Sequence, residues 1–257
     1  MDKFRLCNKI LRNNRLEDYN KILKNAKGHN YQIISLRDYV NSNYKIEGKI
    51  LILRHDIDKK SKATKKMLEI EQKYNAKASY YFLPSTADKK LIKKIEKYGS
   101  EASLHFNTLG DFIRRNSIKS KEELYKYNFQ EECLNVLKRE IEYFRKLFKI
   151  PCETIASHGS KENRLVDTPN TILTEDANIY KMLKIKLEAY NKYFINSINS
   201  YIADCELEKN NGYRGKISPI DAFEKNEKFI LFLSHPQHWY KKFFSQLLRI
   251  VKVLTKI

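Results

Sequence analysis

Five of the six histidines lie at or just after the end of a short apolar run, a pattern typical of buried strands. They are His55, His105, His158, His235 and His238. Parallel α/β proteins build their sites at the carboxyl ends of their strands. The placement of these histidines therefore predicts an active site that contains several imidazoles.

The densest group of chemically capable residues is the segment Arg54-His55-Asp56-Ile57-Asp58. Side chains two apart on a strand face the same side, so Asp56 and Asp58 are expected to point into one site. Two neighbouring carboxylates repel unless a cation lies between them or one of them takes a proton. The pair therefore predicts one metal ligand and one general base. The alternative is a strand-end turn in which Asp58 caps the next helix.

Short apolar runs alternate with amphipathic ones, which predicts a parallel sheet with crossover helices and favours a barrel-like α/β fold. Helices are predicted over 88–98 and 120–148, and late strands over 201–205 and 229–233. We expect a helix-and-strand extension over 1–45, a barrel over 46–240 and a basic amphipathic helix over 241–257.

The chain has 257 residues and a formal net charge of +19, and 42% of its residues are hydrophobic, which excludes a disordered chain. The charge alone suggests nucleic acid, an anionic membrane or an acidic substrate. The lysines are spread over helix faces, and no recognition helix, zinc finger or RNA-binding motif is found, so nucleic acid is not expected to be a partner. Residues 241–257 contain no acidic residue, so their helix is expected to pack on the sheet or to lie on an anionic membrane.

No apolar stretch at the N-terminus has the length of a secretory h-region, and no window is apolar enough to span a membrane. We therefore expect a cytoplasmic location, with peripheral contact at the inner membrane face through the C-terminal helix.

Five motifs occur in an order that resembles the polysaccharide deacetylase-like family, the NodB-homology superfamily or carbohydrate esterase family four. They are Leu53–Asp58 with Ala78–Phe82, Gly99–Asn107, Ala156–Gly159, Tyr201–Asp204 and Leu233–Trp239. The resemblance covers about residues 30–240. It implies a distorted (β/α)7 TIM-like barrel and metal-dependent removal of an acetyl group from a sugar.

By that resemblance Asp56 is the general base, Asp58 and His105 are metal ligands, and His235 is the general acid. The expected cofactor is a divalent metal, zinc in the first instance. The expected substrate is an N-acetylated saccharide of surface-glycan biosynthesis, with a nucleotide or lipid carrier left open. A cyclic amide or imide hydrolase and an inactive glycan-binding protein are the alternatives.

The sequence departs from the family pattern at two places. Leu109 stands where a second metal-binding histidine is usual, and His158 is the candidate replacement. The usual Arg-Pro-Tyr motif is absent, so Arg54 and Arg214 are the candidates for orienting the base. The full set of candidates for binding or orienting the substrate is Arg54, His55, Asp204, Arg214, His238 and Trp239, the last being either a sugar platform or a core aromatic.

Overall fold

Strands and helices alternate along the chain, and the strands join one parallel sheet. The computed structural model describes residues 15–207, 212–215 and 217–240. The strands are β1 Tyr31–Ile34, β2 Lys49–Ile57, β3 Ser79–Phe82, β4 Glu101–Phe106, β5 Thr154–Ser157, β6 Leu187–Glu188, β7 Ser200–Ala203 and β8 Phe229–Ser234. Seven of them follow the order β6-β5-β4-β3-β2-β8-β7, and β1 pairs with the first half of β2.

Helices connect these strands and cover the outer face of the sheet. The helices are α1 Leu16–Gly28, α2 Leu36–Asn41, α3 Lys62–Lys73, α4 Lys89–Tyr98, α5 Thr108–Arg115, α6 Lys121–Leu124, α7 Phe129–Phe148, α8 Lys161–Leu165, α9 Ala177–Leu183, α10 Lys192–Ser197 and α11 Pro219–Glu224. Short 3-10 turns span Asn170–Thr174, Asp204–Glu206 and Pro236–His238.

The two faces of the curled sheet bury different sets of apolar residues. Outward residues such as Leu51 and Leu53 of β2 join the larger core beneath the helices. The inward residues Ile50 and Ile52 meet inward residues of β3, β5, β6 and β8 in a second core. A curled parallel sheet whose inward side chains meet in one core is the distorted (β/α)7 barrel that was predicted, with β6 and β7 as its two edge strands.

Several element boundaries differ from those predicted. The helix expected over 120–148 is two helices, α6 and α7, because the chain leaves the helix after Tyr125 and its Tyr127 ring packs against Phe112. The strand expected over 201–205 ends at Ala203 and is followed by a 3-10 turn. The helix expected over 88–98 is confirmed as α4, where Asp88 caps the start and Gly99 ends it with a φ of 90°.

The two ends of the chain were predicted as separate segments. In the described part of the N-terminal segment, β1 extends the sheet, and the backbone N–H of Arg15 bonds to the carbonyl of Trp239. This segment is therefore continuous with the barrel. The predicted helix over 241–257 lies outside the described residues. Within the described residues, no helix has both the length and the apolar character that a membrane crossing requires.

Candidate active site

The inward side chains at the carboxyl ends of the strands bring the predicted chemical groups together. Asp56 lies on the last part of β2 and Asp58 directly follows it, while His105 lies on β4. His158 and His235 directly follow β5 and β8. The sheet therefore carries these five side chains to one end of the barrel, where parallel α/β folds place their sites.

Three of these side chains form a compact cluster of candidate metal ligands. His105 Nε2, His158 Nδ1 and Asp58 Oδ1 form a triangle with sides of 3.2, 3.3 and 3.4 Å. Ligand atoms that each lie about 2.0–2.1 Å from a tetrahedral zinc ion are separated by about 3.4 Å. The spacing of the triangle therefore fits three ligands of one ion.

The hydrogen bonds around the triangle also favour a cation. His105 Nδ1 lies 2.9 Å from the carbonyl oxygen of Ala156, which can only accept, so Nδ1 donates and Nε2, which faces Asp58, is the ring nitrogen available to a metal. Asp58 Oδ1 is buried and accepts no hydrogen bond from the described residues. His105 Nε2, His158 Nδ1 and Asp58 Oδ1 can each offer a lone pair across these 3.2–3.4 Å gaps, and a divalent cation between them would accept all three.

Asp56 lies beside the triangle and is held by an arginine from its own strand. Arg54 donates from Nε and Nη2 to the two carboxylate oxygens of Asp56, at 2.9 and 2.8 Å. Its guanidinium is fully buried, and its Cζ lies 4.0 Å from the centre of the Tyr190 ring. Burial alone would raise the pKa of Asp56, but the charge and hydrogen bonds of Arg54 outweigh burial and hold that pKa below its ordinary value. Asp56 is therefore ionised at neutral pH.

His235 lies beside Asp58 and is held by a buried carboxylate, Asp204. Its Nδ1 lies 2.6 Å from Asp204 Oδ1, and its Nε2 lies 3.8 Å from Asp58 Oδ2. Burial would lower the pKa of His235, but the hydrogen bond and charge of Asp204 raise it to about 9. The same contacts lower the pKa of Asp204 to about 2 although burial opposes this. His235 is thus an imidazolium at neutral pH, and its free N–H faces the cluster.

The structure contradicts the prediction of His55 as a residue that contacts or orients the substrate. Its neighbours on β2 face inward, so His55 faces outward, where it is fully buried. Its Nδ1 lies 2.6 Å from Ser234 Oγ and its Nε2 lies 2.9 Å from Glu71 Oε1. Tyr19 and Tyr80 donate to the same carboxylate. A serine, histidine and glutamate in line resemble a hydrolytic triad, but the group is closed to solvent and lies in the helix layer.

Two further candidates are placed away from the site. The Trp239 ring is fully buried against Tyr19 and Phe232, so the prediction of a sugar platform is wrong and its alternative, a core aromatic, is right. Its Nε1 donates to Asp204 Oδ2 at 2.8 Å, which leaves it an indirect role in holding His235. Arg214 is exposed and pairs with Ala203 through its backbone, whereas Arg54 holds Asp56.

The remaining predicted residues are placed as follows. His238 Nδ1 lies 3.3 Å from Asp204 Oδ1, so two imidazoles face one carboxylate. Asp58 does not cap the helix after β2, because Ser61 does. Leu109 lies on α5 and is fully buried in the outer core, so a ligand from this position would face away from the triangle. The second imidazole of the triangle comes instead from the residue that follows β5, His158.

Sequence reasoning missed two side chains that support the site. Tyr190 stacks on Arg54, and it follows β6, which is only two residues long and gives no strand pattern to find. Asn170 donates from Nδ2 to the carbonyl oxygen of His158 at 2.6 Å and accepts from the backbone of Leu109 at 2.8 Å. It lies in a 3-10 turn far from any recognised motif.

Comparison with known proteins finds similarity only among solved structures. No protein-family model and no curated protein matches the sequence. A Streptococcus pyogenes deacetylase, PplD, in complex with acetate is 16% identical, with a TM-score of 0.44 over 67% of this chain and 70% of that chain. The polysaccharide deacetylase Bc1974 from Bacillus cereus is 14% identical, with a TM-score of 0.44 over 81% and 88%.

The solved structures similar to this chain also include an inactive protein. BA3943 from Bacillus anthracis, described as a pseudoenzyme of carbohydrate esterase family four, is 9% identical, with a TM-score of 0.41 over 79% of this chain and 61% of that chain.

Proposed function

We propose that the chain is a metal-dependent hydrolase that removes the N-acetyl group from a sugar. The observation that carries the proposal is the triangle of Asp58, His105 and His158 lying between a carboxylate and an imidazole. Two imidazole nitrogens and one carboxylate oxygen are a donor set typical of catalytic zinc. A divalent metal bound there supplies Lewis-acid polarisation of the acetyl carbonyl and lowers the pKa of a bound water.

The residues around the triangle have the charges that amide hydrolysis requires. Asp56 is ionised and lies 3.6 Å from His105 Nε2, so it is placed to take a proton from the attacking water. The water oxygen bonds to the acetyl carbon, and the bond from that carbon to nitrogen then breaks. His235 carries a proton on Nε2 and donates it to the departing amine, so the products are acetate and the free amino sugar.

The two charged partners keep the base and the acid in opposite protonation states. Arg54 stabilises the negative charge of Asp56, and Asp204 stabilises the positive charge of His235. A base and an acid whose environments separate their pKa values in this way are typical of a hydrolytic site. The sequence-based prediction of a role in surface-glycan biosynthesis remains a prediction.

Metal content and acetate release test this proposal together. We expect the wild-type protein to bind stoichiometric zinc, measured by mass spectrometry after dialysis, and His105→Ala and His158→Ala to lose it. His29→Ala is the matched control, because His29 is remote from the cluster and packs near Phe223. Full zinc retention in His158→Ala would contradict the ligand assignment.

Acetate release from N-acetylated saccharides then tests the chemistry. We expect Asp56→Asn and His235→Gln each to lower kcat by about 10²–10⁴-fold while zinc content is retained, because each removes one proton-transfer group. Zinc-loaded wild-type protein that releases no acetate from neutral, nucleotide-linked or acidic N-acetylated saccharides would refute the proposed reaction.

A further inference from the structure

A groove of about 710 Å³ opens beside the ligand triangle, on the side of His158. The segments that follow β3, β4 and β5 form its walls, together with side chains of α5, α7 and α8. His158 belongs both to the triangle and to the lining of the groove. A saccharide whose acetamido group reaches the triangle can therefore extend into this groove.

One part of the groove holds its three carboxylates, Asp111, Glu140 and Glu162, together with Arg114. Arg114 Nη2 lies 2.6 Å from Asp111 Oδ1, and Arg114 Nη1 lies 4.0 Å from Glu162 Oε1. Asn107 Nδ2 donates to the same oxygen of Asp111 at 2.8 Å. Glu140 accepts from the hydroxyl of Thr108 at 2.7 Å. The acidic side chains of the groove therefore already have partners within the wall.

Two cations of the groove have no such partner. Lys161 and Arg164 lie three residues apart on α8, so their side chains emerge on neighbouring parts of its surface. Both are exposed, and no carboxylate of the described residues lies within 4.0 Å of either. Arg164 is anchored through one nitrogen, Nη1, which donates to the carbonyl of Gly159 at 3.1 Å. Its other guanidinium donors bond to none of the described residues and can bind a ligand.

From these observations we propose that the groove binds an anionic group of the saccharide, a phosphate or a carboxylate, at Lys161 and Arg164. This inference rests on the proposed deacetylase function and adds the chemical class of the substrate. Because His158, Lys161 and Arg164 line the same groove, a sugar with its acetamido group at the triangle can extend toward both cations. Guanidinium and ammonium groups bind such oxygens through charge-assisted hydrogen bonds.

Binding of three probes to the zinc-loaded full-length chain tests the inference. The probes are uridine diphosphate N-acetylglucosamine, a hyaluronan tetrasaccharide and neutral N,N′-diacetylchitobiose. We expect the wild-type protein to bind at least one of the two anionic probes about tenfold more tightly than the neutral one, measured by titration calorimetry. Preference for the first probe identifies a phosphate source of the charge, and preference for the second identifies a carboxylate source.

Charge-removing variants locate the effect in the groove. Lys161→Gln/Arg164→Gln is expected to remove the preference for the anionic probe. Lys94→Gln/Lys97→Gln is the matched control, since it removes two exposed charges at the same spacing on α4 and is expected to keep the preference. Lys161→Gln alone breaks no hydrogen bond with the described residues and is expected to lower the preference for the anionic probe about threefold. This single variant tests the inference if the double variant misfolds.

Equal binding of all three probes by the wild-type protein would overturn the inference. So would an unchanged preference in both Lys161 variants, or an equal loss in the Lys94 control. Failure of the proposed function has a different signature, because a protein that releases no acetate from any probe can still show anion binding that depends on Lys161.

Discussion

The buried ion pair of Arg54 and Asp56 allows a quantitative test of how strongly the arginine stabilises the Asp56 carboxylate. The guanidinium is fully buried and Asp56 is 2% exposed, so each charge depends on the other for stabilisation. Arg54→Met keeps most of the side-chain volume but leaves the carboxylate buried and unpaired. Breaking a buried ion pair in this way costs about 3–5 kcal/mol, and we expect a loss of that size in the free energy of unfolding.

Urea unfolding in chelator at pH 7 measures this loss without a contribution from bound metal. The double variant Arg54→Met/Asp56→Asn removes both charges and is expected to recover about 2 kcal/mol or more of the penalty. Arg139→Met is the matched control. This arginine is exposed, and among the described residues its side chain bonds only to the carbonyl of Asn135, so the change is expected to stay within about 0.5 kcal/mol.

The pH dependence of the penalty identifies Asp56 as its source. Arg54 holds the folded-state pKa of Asp56 below its ordinary value, so the stabilisation is present above the unfolded-state pKa and is lost as the pH falls. In Arg54→Met that pKa rises, and the buried carboxyl takes a proton more readily. The difference between the variant and the wild type should therefore be largest at pH 7 and narrow toward pH 4. A penalty below about 1 kcal/mol, or one independent of pH, would refute the reasoning.

Three further perturbations test single side chains of the barrel. Burial raises the pKa of Glu101 to about 7, so the fold favours the protonated carboxyl. The resulting stabilisation is fully present below pH 4.5 and is lost as the pH rises through 7. In the wild type the free energy of unfolding should therefore fall by about 3 kcal/mol between pH 4.5 and pH 8, and Glu101→Gln should lack this fall. Identical stability profiles of the two proteins across this pH range would contradict the prediction. Gly110→Ala should lower the free energy of unfolding by about 1–3 kcal/mol, because the added methyl group would overlap Asn107 Oδ1 and Ser160 Oγ. Urea unfolding measures this loss, and an unchanged midpoint would show that both side chains can move aside. Trp239→Phe removes a donor to buried Asp204 and should cost about 1–3 kcal/mol by the same assay, while a neutral effect would mean that the carboxylate finds another donor.

Two properties of parallel strands, their shared carboxyl end and the alternation of their side chains, explain which parts of the site could be predicted from the sequence. His105 and Asp56 belong to apolar runs that continue as strands, and His158 and His235 directly follow such runs. Their convergence follows from the parallel sheet alone. The alternation of side chains was sufficient to exclude His55 from the site, because the next residue on β2, Asp56, had already been assigned to the inner face.

Other parts of the site depend on packing that no local pattern shows. Trp239 follows a 3-10 turn, and only the tertiary fold places its ring under Asp204 and against Tyr19. Tyr190 follows a strand too short to have a period, yet it covers the guanidinium of Arg54. Both residues support a charged side chain through contacts between distant segments, which a single sequence does not encode in its spacing.

The outer face of the sheet determines which groups the inner face presents. His55 on β2 pairs with Ser234 on β8, and their side chains bond at 2.6 Å on the outer face, where Glu71 also holds the imidazole. Because side chains alternate along both strands, the next residues, Asp56 and His235, then face inward at the same level of the barrel. A slip of one residue would turn His55 into the site and Asp56 into the helix layer. The buried outer network therefore fixes the register that places a carboxylate and an imidazolium beside the ligand triangle.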